Sequence, residues 1–91
     1  MALKFSWNER KATANARKHG VTFEEAATVF ADALALVVQD AVHPERTLIL
    51  GVSDRQRALL VVHTELDSTT IRIISARRAT THERRRYEEG T

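Results

Sequence analysis

The chain has 91 residues, 43% of them hydrophobic, with 14 Lys or Arg against 12 Asp or Glu and a formal net charge of +2. That length supports one hydrophobic core and not two, and the balance of apolar and charged residues excludes a disordered or low-complexity chain. Cysteine is absent, which removes disulfides, thiolate metal sites and a Cys nucleophile together and makes a reducing cytoplasm the expected compartment.

The first residues, MALKFSWNERK, leave room for a short strand at 3 to 6 and become polar too early for a signal peptide. A first helix is expected from Asn8, an N-cap residue, to just before Gly20, which suits a left-handed C-terminal position. Lys18 and His19 fall in its last turn, where cations are favoured. Its apolar face is only Ala12 and Ala16, so it belongs on the margin of the domain. Thr22-Phe23-Glu24-Glu25 matches a capping box and opens a second helix, whose Phe23, Ala26, Ala27 and Phe30 share one face.

From 33 to 77 the pattern changes to strands. ALALVVQD, RTLILGVS, RALLVVHT and TTIRIISAR are rich in Leu, Ile and Val and are separated by the turn-bearing VHPE, DRQ and ELDS. The longest apolar run, ALALVV, is far below the roughly 18–20 residues of a bilayer span, so no membrane segment is expected. Connections this short predict antiparallel neighbours, because a parallel crossover needs about a dozen residues or more. LLVV and IRII predict central strands covered at least in part on both faces. Thr80-Thr81-His82-Glu83, a second capping box, opens the last helix. The expected fold is α+β: two helices, an antiparallel sheet of about four strands, then a C-terminal helix, with the helices on one side of the sheet. A single domain is expected over the 91 residues, with no internal repeat or linker in the sequence.

Charge is divided unevenly. Residues 1–20 carry +4, residues 21–70 carry −5 and residues 71–91 carry +3, so a fold that joins the ends makes a basic patch for phosphates or an acidic partner. Strict alternation in the last strand puts Ile71, Ile73, Ser75 and Arg77 on one side and Arg72, Ile74 and Ala76 on the other, unless a bulge intervenes. Arg77 ends that strand just before the capped helix, where it either reaches into a cleft or pairs with Glu83 or Asp67. Arg84, Arg85 and Arg86 spread around the last helix, so only one or two of them can face a substrate. His43 on a loop and His63 on a strand are possible general bases. No histidine spacing fits a zinc site, and G-x-G-x-x-G, P-loop and G-x-S-x-G motifs are absent, so neither metal nor cofactor is expected. RNA cleavage needs neither, since the 2′-hydroxyl is the nucleophile and the protein supplies only cations and proton transfer.

FSWNERKATANARKHGVTFEEAATVF and IRIISARRATTHERRRYE together closely resemble the BrnT family, toxins of type II toxin–antitoxin systems. The matching residues include Phe5, Trp7, Asn8, Lys11, Asn15, Lys18, His19, Gly20, Val21, Phe23, Glu25 and Ala26 at one end. At the other they are Ile71 to Arg77, Ala79, Thr80, Glu83, Arg84, Tyr87 and Glu88. A middle motif is met less fully, by His43, Glu45, Arg46, Gly51, Ser53 and Arg57, and His63 departs from the aromatic residue expected at its position.

The resemblance implies a RelE-like fold and a metal-independent ribonuclease that arrests translation. It also implies an antitoxin similar to BrnA, with a ribbon-helix-helix DNA-binding element, held in a hetero-oligomer with the toxin. Carried onto this chain, it implies that Arg46, Arg57 and Arg77 stabilise phosphate charge at a cleft, with Glu83 or His43 as proton acceptor. Lys11, Arg72 and Arg84 are the expected contacts to the RNA backbone. The competing expectation is a non-enzymatic module whose basic ends dock an acidic protein.

Overall fold

Asn8 and Gly20 bound the first helix as their chemistry requires. In the computed structural model, which describes residues 2–90, the Asn8 side chain accepts from the Lys11 amide and Gly20 sits at φ 69°. The elements run β1 (Lys4–Ser6), α1 (Glu9–His19), α2 (Phe23–Thr28) with a 3-10 turn at Val29–Ala31, β2 (Leu36–Gln39), β3 (Thr47–Val52), β4 (Ala58–Glu65), β5 (Thr70–Arg78) and α3 (Thr81–Glu89). None of the described helices is long and apolar enough to cross a membrane.

The five strands form one sheet in the order β1-β5-β4-β3-β2. Strands β2 to β5 pair antiparallel as their short connections require. The short N-terminal strand is present and makes the sheet mixed, because β1 runs parallel to β5, with Phe5 opposite Ile71. The whole of α1 through β4 separates these two strands in sequence, so no hairpin constraint applies to them.

One face of the sheet holds the core. Ile49, Leu59, Val61, Ile71, Ile73 and Ala76 point toward Val21, Phe23, Ala26 and Val29 from the α1–α2 side, all of them buried. Asn15 ties α1 to this face: its Nδ2 donates to the carbonyls of Val21 (2.9 Å) and Ala76 (2.8 Å), and its Oδ1 accepts from the Ala76 amide. Gly51 is required here, because a Cβ would lie 2.9 Å from Val29 Cγ1 and 3.0 Å from Ala35 Cβ.

The other face is only partly covered. Leu36, Leu50, Leu60 and Arg77 lie side by side across four strands on it, and α3 leans over this row: its His82, Glu83 and Arg86 line a groove of about 190 Å³ with Leu36, Val38, Leu48, Leu50 and Leu60. The helices therefore do not all gather on one side. Tyr87 fastens α3 by donating from its hydroxyl to Asp32 Oδ2 at 2.6 Å, and Asp32 Oδ2 also accepts from the Val52 amide.

Candidate active site

A register shift fixes which side Arg77 occupies. His63 pairs with Ile73 and Val62 with Ser75, so Ile74 is an extra residue on β5. Such a bulge reverses the alternation of everything that follows it. Ala76 joins Ile71 and Ile73 in the core, and Arg77, opposite Leu60, turns to the open face that also carries Arg72, opposite Thr64. Strict alternation had separated these two arginines; the bulge unites them.

Arg46 belongs to the same region. It precedes Thr47, whose partner is His63, so it falls in the row of Thr64 and Arg72. At a strand spacing near 4.8 Å and a rise near 3.3 Å per residue, Arg46 and Arg72 stand about 10 Å apart and the row of Arg77 lies about 13 Å along the strands. His43 is carried by the same β2–β3 hairpin: its carbonyl accepts from the Arg46 amide at 2.8 Å, and its ring Nδ1 lies 3.7 Å from Glu45 Oε2. The hairpin is shaped by Asp40, whose Oδ1 accepts from the Val42 and His43 amides and whose carboxyl those bonds hold below its ordinary range.

Arg77 and Glu83 form a bidentate pair, Nη1 to Oε1 at 2.8 Å and Nη2 to Oε2 at 2.9 Å, with Nη1 also donating to the Arg78 carbonyl. Glu83 Oε1 accepts from the Thr80 amide as well, which completes the capping box of α3. The Arg77 guanidinium beside it and the Thr80 amide draw the Glu83 carboxyl down to about 2, against the resistance of partial burial. A carboxylate so engaged is a weak proton acceptor. Arg77 has five N–H donors, and three are taken.

The remaining expected residues lie elsewhere. Arg57 is on the helix-covered face, not the open one: its Nε donates to Glu25 Oε2 at 2.9 Å, and its Nη2 donates to Glu25 Oε1 and to the Gly20 carbonyl. Ser53 Oγ donates to the same carboxylate at 2.7 Å. Glu25, with its side chain 3% exposed, thus leaves the capping box of α2 half made; Thr22 Oγ1 accepts from the Glu25 amide, but the Glu25 carboxylate turns to Arg57. Lys11 is exposed on α1, which packs against the core face. Arg84 points to the other flank of α3, where it shares a recess with Arg57, Arg78 and Tyr87. His63 is buried at 3% exposure, with its ring edge-on to Phe30 at 4.8 Å. Among the described residues no three His, Asp or Glu side chains gather as metal ligands would. Sequence reasoning missed Asp32 and Ser53 as the anchors of α3 and of the Glu25–Arg57 pair.

A family model described as the ribonuclease toxin BrnT of type II toxin–antitoxin systems matches residues 7–83. The chain belongs to the BrnT toxin family. Its fold is similar to that of the Brucella abortus ribonuclease toxin BrnT, solved at 1.1 Å, with a TM-score of 0.72 at 23% identity over 88% of this chain and 100% of that one. No curated protein sequence matches it. As a BrnT family member the chain is a ribonuclease toxin, whose partners are an RNA substrate and an antitoxin.

Proposed function

We propose that this BrnT toxin cleaves RNA without a metal, on the open sheet face between the β2–β3 hairpin and α3. The observation that carries this reading is the bulge at Ile74, which puts Arg77 on the same face as Arg72, about 13 Å along the strands from the row that Arg72 shares with Arg46. Three guanidinium groups, two from β5 and one from the residue before β3, then face solvent over an apolar floor, where charge interactions are stronger than in bulk water. The 2′-hydroxyl loses its proton and its oxygen attacks the neighbouring phosphorus, the bond to the 5′-oxygen breaks as that oxygen takes a proton from solvent, and a 2′,3′-cyclic phosphate and a 5′-hydroxyl result. Arg77, with two donors free, stabilises the extra charge on the phosphorane, and Arg46 and Arg72 hold the flanking backbone.

His43 is the proton acceptor in this scheme rather than Glu83, and the β2–β3 hairpin that carries it must close over the RNA to reach the 2′-hydroxyl, since its Arg46 row stands about 13 Å along the strands from that of Arg77. Glu83 acts as a positioning residue that locks the Arg77 fork, and Arg57 acts as an internal brace through Glu25. Lys11 and Arg84 take no part in the reaction. Cleavage stops translation in the cytoplasm, and a BrnA-like antitoxin with a ribbon-helix-helix element neutralises the enzyme in a hetero-oligomer.

The test is incubation of the purified protein with total RNA in excess EDTA. Fragments ending in 2′,3′-cyclic phosphate are expected, and Arg77→Ala, folded by circular dichroism, should lose them. Intact RNA in EDTA with cleavage restored by a divalent cation overturns the metal-free scheme. Intact RNA under both conditions leaves a binding module.

A further inference from the structure

The two edges of the sheet are defended unequally. β1, at one edge, is three residues long and carries Lys4, the kind of short, charged strand that discourages further pairing. β2, at the other edge, has no charge and no proline from Leu36 to Gln39, and its register with β3 is unbroken. Among the described residues nothing pairs with its outer side.

Its first three side chains are apolar and lie on both faces. Leu36 and Val38 line the groove under α3, whereas Val37, opposite Ile49, points to the core side and is 63% exposed. Leu34 and Val42, at its two ends, are 73% and 79% exposed. Apolar residues on consecutive positions are the composition of an interior strand, covered on both faces and paired on both sides. A bare edge of this kind accepts an added strand from another chain.

The groove beside the edge specifies charge. Arg86 and His82 stand exposed on its α3 wall, and among the described residues neither has a carboxylate within ion-pair distance. A second copy of this chain brings its own Arg86, and the carboxylate beside its β2, Asp40, already accepts from the Val42 and His43 amides. We infer that β2 is the docking edge for the antitoxin. An extended segment of that protein adds as a sixth strand, apolar against Val37 and Val38 and acidic where it reaches Arg86. The inference rests on reading the chain as a toxin with a protein antitoxin, and the added segment lies beside the proposed cleavage face.

The test uses the full-length toxin and its purified cognate antitoxin. Hydrogen exchange at the Leu36–Gln39 amides should slow on complex formation. Val37→Lys, at an exposed position away from the cleavage face, should weaken antitoxin binding on the order of tenfold or more while RNA cleavage stays at the parent level. Unchanged exchange in β2, or parent affinity in V37K, overturns the proposal. So does a toxin dimer in light scattering that V37K dissociates, which assigns the edge to self-association. Failure of the nuclease reading is separate: RNA left intact by a toxin whose β2 is still protected by antitoxin removes the cleavage and leaves the docking edge standing.

Discussion

The guanidinium of Arg57 is held on three sides inside the protein, by Glu25 twice and by the Gly20 carbonyl. Glu25 in turn holds Ser53, so one buried carboxylate joins α2, the β3–β4 turn and the end of α1. Arg57→Ala leaves that carboxylate buried without its cation. A buried pair broken from one side costs about 3–5 kcal/mol, and the partial exposure of Arg57 places this case at the lower end. The urea midpoint should fall accordingly. Cleavage per folded molecule should persist, because Arg57 faces away from Arg72 and Arg77; a variant of parent stability with no activity would return Arg57 to the reaction.

Much of this fold was legible because its signals are local. Asn8, Thr22, Thr80 and Gly20 mark helix ends through their own backbone chemistry, and the structure places caps at each. Glu25 was misread as the partner of its own N-cap because the capping-box spacing is local, whereas Arg57, the stronger hydrogen-bonding partner, lies 32 residues away. The bulge is a similar case: Ile71, Ile73 and Ile74 are all apolar, so the period of two gives no sign of where the extra residue falls. The face of Arg77, and with it the candidate site, depends on that one residue. LLVV and IRII were legible as central strands because both are apolar on consecutive positions, and β4 and β5 lie inside the sheet.

Glu83 contributes stability in a definite pH window. Its carboxyl is drawn from an ordinary 4.5 to about 2 in the folded protein, so the unfolded chain takes up a proton first. The contribution is complete above about 4.5 and is lost as pH falls toward about 2. Glu83→Gln should flatten this part of the stability profile measured by urea titration. It should also leave measurable cleavage at neutral pH, since the amide oxygen still accepts from Arg77. Abolition of activity in a folded Glu83→Gln would make Glu83 the proton acceptor instead.

His63 produces the opposite chemistry with the same sign. Burial holds its ring below the ordinary 6.5, because a charged imidazolium beside Phe30 would lose its hydration. The unfolded chain therefore binds the proton first as pH falls. Stability is full above about 6.5 and declines below it. His63→Phe should remove this slope between neutral and mildly acidic pH, read by thermal melts. An unchanged slope would mean the histidine is not titrating from a buried neutral state.

Tyr87 and Asp32 control α3, and through it Glu83. The helix buries none of its residues fully, so the 2.6 Å bond from Tyr87 to the Asp32 carboxylate is a main anchor. Asp32 holds the Tyr87 hydroxyl above its ordinary range, as a bond that favours the protonated phenol must. Tyr87→Phe should cost about 1.5–3 kcal/mol, the range for hydrogen bonds to a charged group. Hydrogen exchange should rise along α3 before it rises in β4. Cleavage should drop with it, since a loosened α3 no longer fixes Glu83 against Arg77; full activity with a frayed helix would dissociate Arg77 from Glu83.

The open face makes a prediction about salt that separates it from the rest of the basic surface. Each arginine that meets a backbone phosphate releases counterions, and for single strands the logarithmic salt slope changes by about 0.7 per contact. Arg46→Ala and Arg72→Ala should each weaken RNA binding and reduce that slope by about this amount. Both side chains lie at the rim of the sheet face away from the core, so stability should change little. Lys11→Ala is the control: it removes a cation of the same charge from α1, on the opposite side of the sheet. Its slope and affinity should match the parent. Fluorescence anisotropy on a short catalytically inert oligonucleotide, with the cleaved 2′-hydroxyl replaced by hydrogen, gives all four slopes. Equal losses from Lys11, Arg46 and Arg72 would mean that RNA is held by diffuse charge and not by this face.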